Sequence, residues 1–384
     1  MMKRLSKNLW RLSLALPCMM LAMGCEGNDA AETENNEPIE LRISPTVAAT
    51  RSVIQGGTQS GTGTNVMQNV VVYATGDDYT AQKNNNYAIY TQKDDGSGWE
   101  NNGIPKIYLT NAEATIYAYY PAYKIKDDGS MDTEAIGIGS DPFSTSSTIS
   151  ISTLASGTIT ATDNADMVWN NTSGSWTNNT DAKKATIAAA PGETDYMYAE
   201  SKKASNQNSS NSIELTMKHA LSMISFRVYN DKTYQGTGTL SEIKLEDVSN
   251  TAVLYSSAKM NVSSGEISSA STTATYTRTI TGYTLAQEGR DNANSADEAK
   301  AAAKKISIMV LPVSNYSTNS VKASFKIDNA TYTVNLSSPT NDNKWEAGKN
   351  YLYTVLLNGK QLTISKVEVT PWSEVAVNND LTIQ

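Results

Sequence analysis

The residues that could do chemistry are few and scattered along the chain. The single histidine, His219, lies in the stretch TMKHALSMIS, among alternating apolar residues. Acid–base catalysis or metal binding would require a nucleophile or further ligands close to it. The sequence contains no His-x-x-x-His pair, no paired cysteines and no G-x-S-x-G elbow. We therefore interpret His219 as a structural group and predict that the protein is not an enzyme and has no catalytic residue.

Pairs of acidic residues raise the question of a metal site. Asp94–Asp95 and Asp127–Asp128 lie in the similar stretches KDDGSG and KDDGS. A calcium loop needs oxygen ligands at alternating positions and usually a closing Glu, and neither stretch provides them. Asp-Gly between apolar runs is a hairpin signal. We predict turns here, with no metal and no cofactor.

Aromatic residues could form a different kind of site. Trp99, Trp169 and Trp176 have polar neighbours, and the chain has 20 Tyr against 3 Phe. Exposed Trp and Tyr could stack on sugars, which would suit a monomeric glycan-binding lipoprotein at the cell surface. Amphipathic aromatic side chains pack at half-buried positions more often than they bind ligands. Packing is therefore the preferred interpretation, and glycan binding is the alternative.

Composition limits the classes of function. The chain has 384 residues, of which 18% are charged, and a formal net charge of −8. An acidic chain repels phosphate backbones, so nucleic-acid binding is not expected. A secreted hydrolase is disfavoured because the nucleophile–histidine and metal patterns are missing.

The N-terminus has the pattern of an export signal. Four basic residues in MMKRLSKNLWR precede the apolar run LSLALPCMMLAMG, and Cys25 follows. A basic region, a short apolar region and a small residue before the cut are typical of a secretory signal, and LAMGC resembles a bacterial lipoprotein signal. We predict a lipoprotein signal peptide over residues 1–24, acylation at Cys25, and a flexible acidic tether over 25–37.

The rest of the sequence predicts strands almost throughout. β-branched and aromatic runs alternate with turn signals, and the stretch SADEAKAAAKK (295–305) is the one predicted helix. Strands joined by short turns favour antiparallel sandwiches. We predict an all-β protein with two tandem antiparallel β-sandwich domains, at 38–210 and 211–384.

Two period-two apolar segments lie near the ends of the chain. PIELRISPTV presents Ile39, Leu41 and Ile43 on one side, and Arg51 follows in a loop rich in small residues. VAVNNDLTIQ presents Val375, Val377, Leu381 and Ile383 on one side, and only Asn379 interrupts that run. An uncovered apolar strand of this kind is an aggregation hazard that proteins normally suppress.

Several stretches in order resemble the fimbrillin family of Bacteroidetes, the subunits of type V pili. They are ATIYAYYPAY (114–123), ETDYMYAES (193–201), LTMKHALSMISFRV (215–228), SIMVLPV (307–313), WEAGKNYLYTVLL (345–357) and VTPW (369–372). The resemblance implies two transthyretin-like sandwiches and delivery to the outer membrane as a lipoprotein.

The same resemblance implies a mode of assembly. A protease would cut after Arg51, and residues 38–51, which carry the first strand, would leave. A donor strand at about 370–384 of a neighbouring subunit would then fill the vacated groove. The implied partners are neighbouring pilus subunits, an arginine-specific protease, the outer membrane through the N-terminal lipid, and a host or bacterial surface ligand. The implied location is the outer membrane and the cell surface.

Overall fold

The computed structural model describes most of the chain between residues 37 and 371. The described ranges are 37–47, 67, 69–79, 86–93, 98–101, 105–126, 131–137, 143–160, 167–170, 175–178, 187–207, 212–248, 251–289, 295–314, 320–336, 344–359 and 361–371. They belong to one compact unit. Cys25, Arg51 and the predicted donor residues Val375, Val377, Leu381 and Ile383 lie outside them.

The described residues form strands and one short helix. In the first half of the chain the strands are β1 (Ile39–Glu40), β2 (Arg42–Val47), β3 (Asn69–Thr75), β4 (Tyr87–Gln92), β5 (Trp99–Glu100), β6 (Tyr108–Leu109), β7 (Ala114–Tyr120), β8 (Tyr123–Ile125), β9 (Met131–Ala135), β10 (Thr148–Ser152), β11 (Ser156–Thr160), β12 (Met167–Asn170), β13 (Ser175–Asn178) and β14 (Ile187–Ala188). In the second half the elements are β15 (Met197–Ala199), β16 (Lys202–Ala204), β17 (Ser212–His219), β18 (Ser222–Asn230), β19 (Leu240–Asp247), β20 (Tyr255–Asn261), β21 (Ile267–Thr273), β22 (Tyr276–Thr281), β23 (Ala286–Gln287), α1 (Ala296–Ala302), β24 (Lys305–Val310), β25 (Val321–Ile327), β26 (Ala330–Leu336), β27 (Lys349–Asn358) and β28 (Gln361–Pro371).

The N-terminal part is organised around one large sheet with the order β2-β17-β15-β7-β3-β4-β5, in which β16 also pairs with β7. Its inner strand β3 has the sequence NVVVYAT, which is apolar between its first and last residues, and is buried on both faces. Val70, Val72 and Ala74 pack into one core, while Val71 and Tyr73 pack into another. A continuous apolar run is the pattern expected of a strand that is covered on both sides.

The C-terminal part contains a sandwich of two sheets. One sheet has the order β14-β24-β18-β27-β28, with β23 also paired to β18, and the other has the order β11-β22-β19-β25-β26. Phe226 of β18 meets Phe325 of β25 edge to face, with ring centroids 5.3 Å apart. These rings lie in the largest core cluster, which also includes the fully buried Trp345.

A further core joins strands from both halves of the sequence. Val71 of β3 and Tyr119 of β7 pack in the same cluster as Met223, Met260 and Met309. β17 begins just after the predicted boundary at 210/211, yet it pairs with β15 and β2 of the N-terminal sheet. The division into two tandem domains stays a prediction.

The all-β fold class is confirmed, and the strand directions add to it. The described strands are mostly antiparallel, but β2–β17, β11–β22, β14–β24, β18–β23 and β18–β27 pair in parallel. Parallel neighbours need a long crossover connection, so a prediction based on consecutive hairpins misses partners that are far apart in sequence.

The predicted helix over 295–305 is shorter in the structure. It covers Ala296–Ala302, and the Ser295 hydroxyl accepts a hydrogen bond from the Glu298 amide, as expected of the N-cap. It ends early because Lys305 begins β24, which pairs with β18. Pairing with an existing sheet outweighs the helical preference of the last residues.

Candidate functional site

The candidate site is the place where the first strand of the described chain sits. β1 pairs antiparallel with β6, and β2 pairs in parallel with β17, with Ile43 opposite Ile213. Between the two strands, the Leu41 amide donates to the Ile107 carbonyl at 2.9 Å. The segment predicted as one strand is therefore two short strands, because the chain moves from the edge of one sheet to the edge of another at Leu41. We call the groove formed by β6, β17 and the core beneath them the strand seat.

Apolar side chains fill the strand seat. Leu41 is completely buried, Ile43 is 4% exposed, and Ile39 packs half-buried against the same core cluster. Arg42 and Ser44 point away and are exposed. Burial of one such side chain contributes roughly 1.5–3 kcal/mol. The three predicted leaving-strand residues are thus brought together, and they are the contacts that the core would lose if the strand left.

Polar contacts hold the same segment at several points. The Tyr90 hydroxyl donates to the Leu41 carbonyl at 2.7 Å, and the Asn206 amide group donates to the Glu37 carbonyl at 3.0 Å. Lys106 Nζ lies 2.9 Å from a carboxylate oxygen of Glu40, with both side chains more than a third exposed. Burial raises the pKa of Tyr90, so its hydroxyl remains protonated and able to donate at neutral pH.

The other predicted assembly residues lie beyond the described part of the chain. β28, the last described strand, pairs antiparallel with β27 and forms one edge of its sheet. It ends at Pro371, at the start of the predicted donor segment. The cleavage site Arg51 and the acylated Cys25 stay predictions.

His219 is held by a carboxylate that the sequence pattern did not connect to it. Its Nδ1 lies 2.9 and 3.0 Å from the two carboxylate oxygens of Asp195, and both side chains are buried. A carboxylate at this distance favours the tautomer that carries a proton on Nδ1. Because His219 ends β17 and the next strand belongs to a different sheet, this pair acts where the chain passes between sheets. That position agrees with a structural role.

A second buried ion pair was not predicted at all. Arg278 and Glu193 are both fully buried, and Arg278 Nε donates to Glu193 Oε1 at 2.8 Å. Arg278 also donates to the Leu154 carbonyl, and Glu193 accepts from the Met309 amide at 2.7 Å. Burial raises the pKa of Glu193, against the opposing effect of the Arg278 guanidinium. A lone Arg in TYTRTI and a lone Glu 85 residues away carry no local signal of pairing.

The tryptophans considered for glycan stacking are only partly described. Trp99 is half-buried against the N-terminal core, and Trp169 lies opposite Trp176 in the β12–β13 hairpin. Elsewhere, an open cleft of about 630 Å³ is lined by residues that include Tyr198, Tyr255 and Glu346.

The described ranges also bear on metal binding and on membrane spans. No group of three or more His, Cys, Asp or Glu residues there could hold a metal ion. Among the same residues, no helix has the length and apolar character needed to cross a bilayer.

Solved structures show the same fold at low sequence identity. A candidate cell adhesion protein from Bacteroides uniformis matches with a TM-score of 0.52 and 13% identity, over 88% of this chain and 99% of that one. A second such protein, from Bacteroides ovatus, matches with a TM-score of 0.52 and 17% identity over the same shares. A fimbrial protein from Bacteroides vulgatus matches with a TM-score of 0.50 and 15% identity, again over 88% and 99%. No curated protein matches the sequence.

The family assignment comes from the sequence itself. The model of the fimbrillin-like family matches residues 50–372, which is most of the chain. The match includes the stretches on which the resemblance was based, so that prediction is confirmed. The chain belongs to the fimbrillin-like family.

Proposed function

We propose that this protein is a structural and adhesive subunit of a type V pilus. It is exported as a lipoprotein acylated at Cys25 and reaches the outer membrane and the cell surface. An arginine-specific protease cuts after Arg51, the first strand leaves the strand seat, and the C-terminal segment of a neighbouring subunit takes its place. Family membership supports the pilus assignment.

The observation that carries the proposal is the way the first strand is held. It enters the strand seat at the edges of two sheets, so it can leave without breaking a central strand pair. Leu41 and Ile43 fill the core, while Arg42 and Ser44 face solvent. A foreign strand with the same alternation could reproduce the main-chain ladder and the buried contacts.

Cleavage would convert a stable fold into one that needs a partner. An intact chain keeps the first strand at high effective concentration, whereas a cut in the following loop leaves it bound by noncovalent contacts alone. An empty seat exposes apolar surface and unpaired main-chain groups. Because donor and seat are different surfaces of one subunit, the contact is head-to-tail and propagates as a filament.

The test uses the chain from residue 26 onward, which contains the compact unit. It is nicked briefly with an arginine-specific protease, the new N-terminus is sequenced, and unboiled gels are inspected for an SDS-resistant ladder. We expect a cut after Arg51 and a ladder that disappears when 375–384 are deleted. Arg51→Ala should block both steps. Arg42→Ala is the matched control, because Arg42 lies within β2. A clean cut after Arg51 that leaves only monomer would refute assembly by strand exchange.

One observation favours the alternative of a glycan-binding surface lipoprotein. The open cleft with Tyr198 and Tyr255 among its lining residues combines aromatic and polar groups. A monomeric glycan binder should keep its ligand when 375–384 are deleted, whereas a pilus subunit should fold but fail to polymerise. The same deletion therefore separates the two functions.

A further inference from the structure

We propose that the open cleft beside Tyr198 and Tyr255 binds a neutral oligosaccharide, so that one subunit both assembles and adheres. The inference rests on the adhesive part of the proposed function, and it adds the site and the class of ligand. Its lining comes from β15, the β20–β21 hairpin and the segments 311–314 and 344–347. We call it the tyrosine cleft. None of its described lining residues belongs to β6, to β17 or to the core beneath them, so the cleft is separate from the strand seat.

The tyrosine cleft lies where three sheets approach one another. Tyr198 belongs to the large N-terminal sheet, Tyr255 to the sheet β10-β20-β21, and Val313 and Trp345 to the core of the C-terminal sandwich. The volume of about 630 Å³ falls within the roughly 300–1,000 Å³ of small-ligand sites, which commonly form between packed units. Because the cleft is open, it can receive a few units of a longer chain without enclosing its ends.

The ring of Tyr198 is fixed in place by a glycine. Tyr198 and Tyr255 are both half-buried and pack against the same core cluster. A methyl group at Gly265 would come within 2.1 Å of the Tyr198 ring, and Gly265 has a φ of 70°, so both space and backbone require glycine there. The exposed part of the ring lines the cleft. A ring held in this way can stack on the apolar C–H face of a pyranose at little further cost in side-chain entropy.

The opposite wall is also formed in advance. Val313 and Trp345 exchange two main-chain hydrogen bonds of 2.8 and 2.9 Å, and the Ser222 hydroxyl donates to the Glu346 carbonyl at 2.7 Å. Trp345 is completely buried, so it supports this wall from beneath. A preformed site loses less conformational freedom when a ligand binds.

Polar side chains border the tyrosines. The exposed hydroxyl and carboxylate groups of the lining are those of Ser264, Ser268, Ser269, Ser314, Glu266 and Glu346. A serine hydroxyl both donates and accepts hydrogen bonds, and a carboxylate accepts them. Sugar hydroxyls need partners of both kinds around a ring whose faces are apolar. The cleft therefore matches the two surfaces of a pyranose.

Charge excludes acidic sugars. Lys344 is the one basic residue among the described lining residues, and its Nζ lies 3.3 Å from a carboxylate oxygen of Glu346. Glu266 adds a second carboxylate. An anionic ligand would be repelled at short range, and no second cation is present among these residues to compensate. A neutral oligosaccharide is therefore favoured over uronates and over sulfated or phosphorylated glycans.

The edge of β21 does not suit a peptide strand. β21 ends its sheet, so a peptide could in principle extend that sheet through main-chain hydrogen bonds. Ser269 and Thr272 of β21 have positive φ, 54° and 62°, and the pairing with β20 shifts register between Ser257 and Lys259. Such an irregular edge offers no continuous ladder and resists strand addition.

Calorimetric titration of the uncleaved chain from residue 26 onward tests the class of ligand. The neutral ligands are cellohexaose, mannohexaose, xylohexaose and N-acetylchitohexaose, and hexagalacturonate is the anionic counterpart. We expect saturable binding of at least one neutral oligosaccharide, and binding of hexagalacturonate that is weaker by about ten-fold or more. Deletion of 375–384 should leave the affinity unchanged, because the cleft is separate from the strand seat.

Substitutions test whether the tyrosines form the platform. Tyr198→Ala and Tyr255→Ala should each weaken binding by about ten-fold or more, the effect of losing one buried aromatic contact. Tyr332→Ala is the matched control, because Tyr332 is also half-buried but lies in β26 and does not line the cleft. Unchanged melting temperatures of the three variants would show that folding is unaffected.

A fluorescent label locates the ligand without removing a tyrosine. The cysteines of the chain are Cys18 and Cys25, so the chain from residue 26 onward has none. Ser268→Cys places a label in the cleft, and Thr331→Cys places one at an exposed position of β26. We expect the bound oligosaccharide to change the emission of the label at position 268 alone.

The outcomes separate this inference from the proposed function. The carbohydrate site would be overturned by no binding of any neutral oligosaccharide, by equal affinity for hexagalacturonate, by binding that survives both tyrosine substitutions, or by equal responses of the two labels. An SDS-resistant ladder would still support the pilus subunit in each of these cases. Binding in the cleft by a chain that is cut after Arg51 and forms no ladder would leave the carbohydrate site standing and refute assembly.

Discussion

The hydroxyl of Tyr90 donates a hydrogen bond of 2.7 Å to the main-chain carbonyl of Leu41, 49 residues earlier in the chain. Tyr90 lies in β4 of the large N-terminal sheet, and Leu41 lies where the first strand passes from β6 to β17. The contact involves only the main chain of the held strand. It would therefore hold any strand that presents a carbonyl at the same point of the strand seat, including an incoming one.

Removal of this hydroxyl should loosen the first strand. We expect Tyr90→Phe to weaken retention of the strand after cleavage by about 1 kcal/mol, the net value of one buried hydrogen bond. The measurement is the rate at which the nicked N-terminal peptide separates from the protein in mild urea, followed by mass spectrometry. Tyr119→Phe is the matched control, because Tyr119 donates to the Ile136 carbonyl outside the seat. Equal release rates for the two variants would contradict a holding role for Tyr90.

In the uncleaved chain, the apolar side chains buried in the strand seat should contribute more to the free energy of unfolding than their exposed neighbours do. Leu41→Ala is expected to reduce the free energy of unfolding by about 2–5 kcal/mol, since the cavity has little room to collapse between β6 and β17. Arg42→Ala, at the exposed neighbouring position, should change it by less than about 0.5 kcal/mol. Urea unfolding of the uncleaved chain compares the two, and a similar small effect for both would show that Leu41 is not part of the core.

The buried Arg278–Glu193 pair should be sensitive to loss of either partner. We expect Arg278→Met to destabilise the fold by about 3–5 kcal/mol, because it leaves the Glu193 carboxylate buried without its cation. The double variant Arg278→Met with Glu193→Leu should recover part of that loss, since no uncompensated charge remains. Denaturant midpoints test this, and a double variant less stable than both single variants would count against the explanation.

The carboxylate of Asp328 should give the fold a pH dependence. It accepts hydrogen bonds from the amides of Gly238 and Thr239 and from the hydroxyl of Tyr234, at 2.7–2.9 Å. Burial acts to raise the pKa of Asp328, but these donors outweigh it and the pKa is lowered. A lowered pKa means that the stabilisation is fully present above the ordinary value of about 3.9 and is lost as pH falls through the lower, folded-state value.

Asp328→Asn isolates that effect. Asp328 and Asn329 both have positive φ, 48° and 67°, in the turn between β25 and β26, and asparagine is well suited to such a turn. We expect the variant to be less stable by about 1 kcal/mol at pH 7, and the difference from the parent to shrink as pH falls below the ordinary carboxyl value and through the lowered folded-state pKa. Thermal unfolding at a series of pH values measures the difference. A deficit that does not change with pH would show that charge plays no part.

Local pattern was enough for the type of most elements and for the groups that face a core, but not for where the first strand divides or where the helix ends. Period-two alternation placed Ile39, Leu41 and Ile43 on one side, and the structure buries or half-buries all three. The continuous run NVVVYAT belongs to a strand covered on both faces. These properties depend on neighbouring residues, whose side chains alternate with the pleat in any extended segment. The family motifs are also short stretches of consecutive residues, so the sequence alone was enough to recognise the family.

The sequence by itself determined an all-β chain of this family with apolar segments near both ends. Only the tertiary structure decided which edges the first of these segments meets. The parallel pairing of β2 with β17, the move to β6 at Leu41 and the Arg278–Glu193 pair all join residues far apart in the chain. The alternation of apolar residues shows which face of a strand is buried. That alternation is the same whichever strand is the partner, and whether the two strands run parallel or antiparallel. Partners are chosen when all the strands pack together, and no short stretch contains that information.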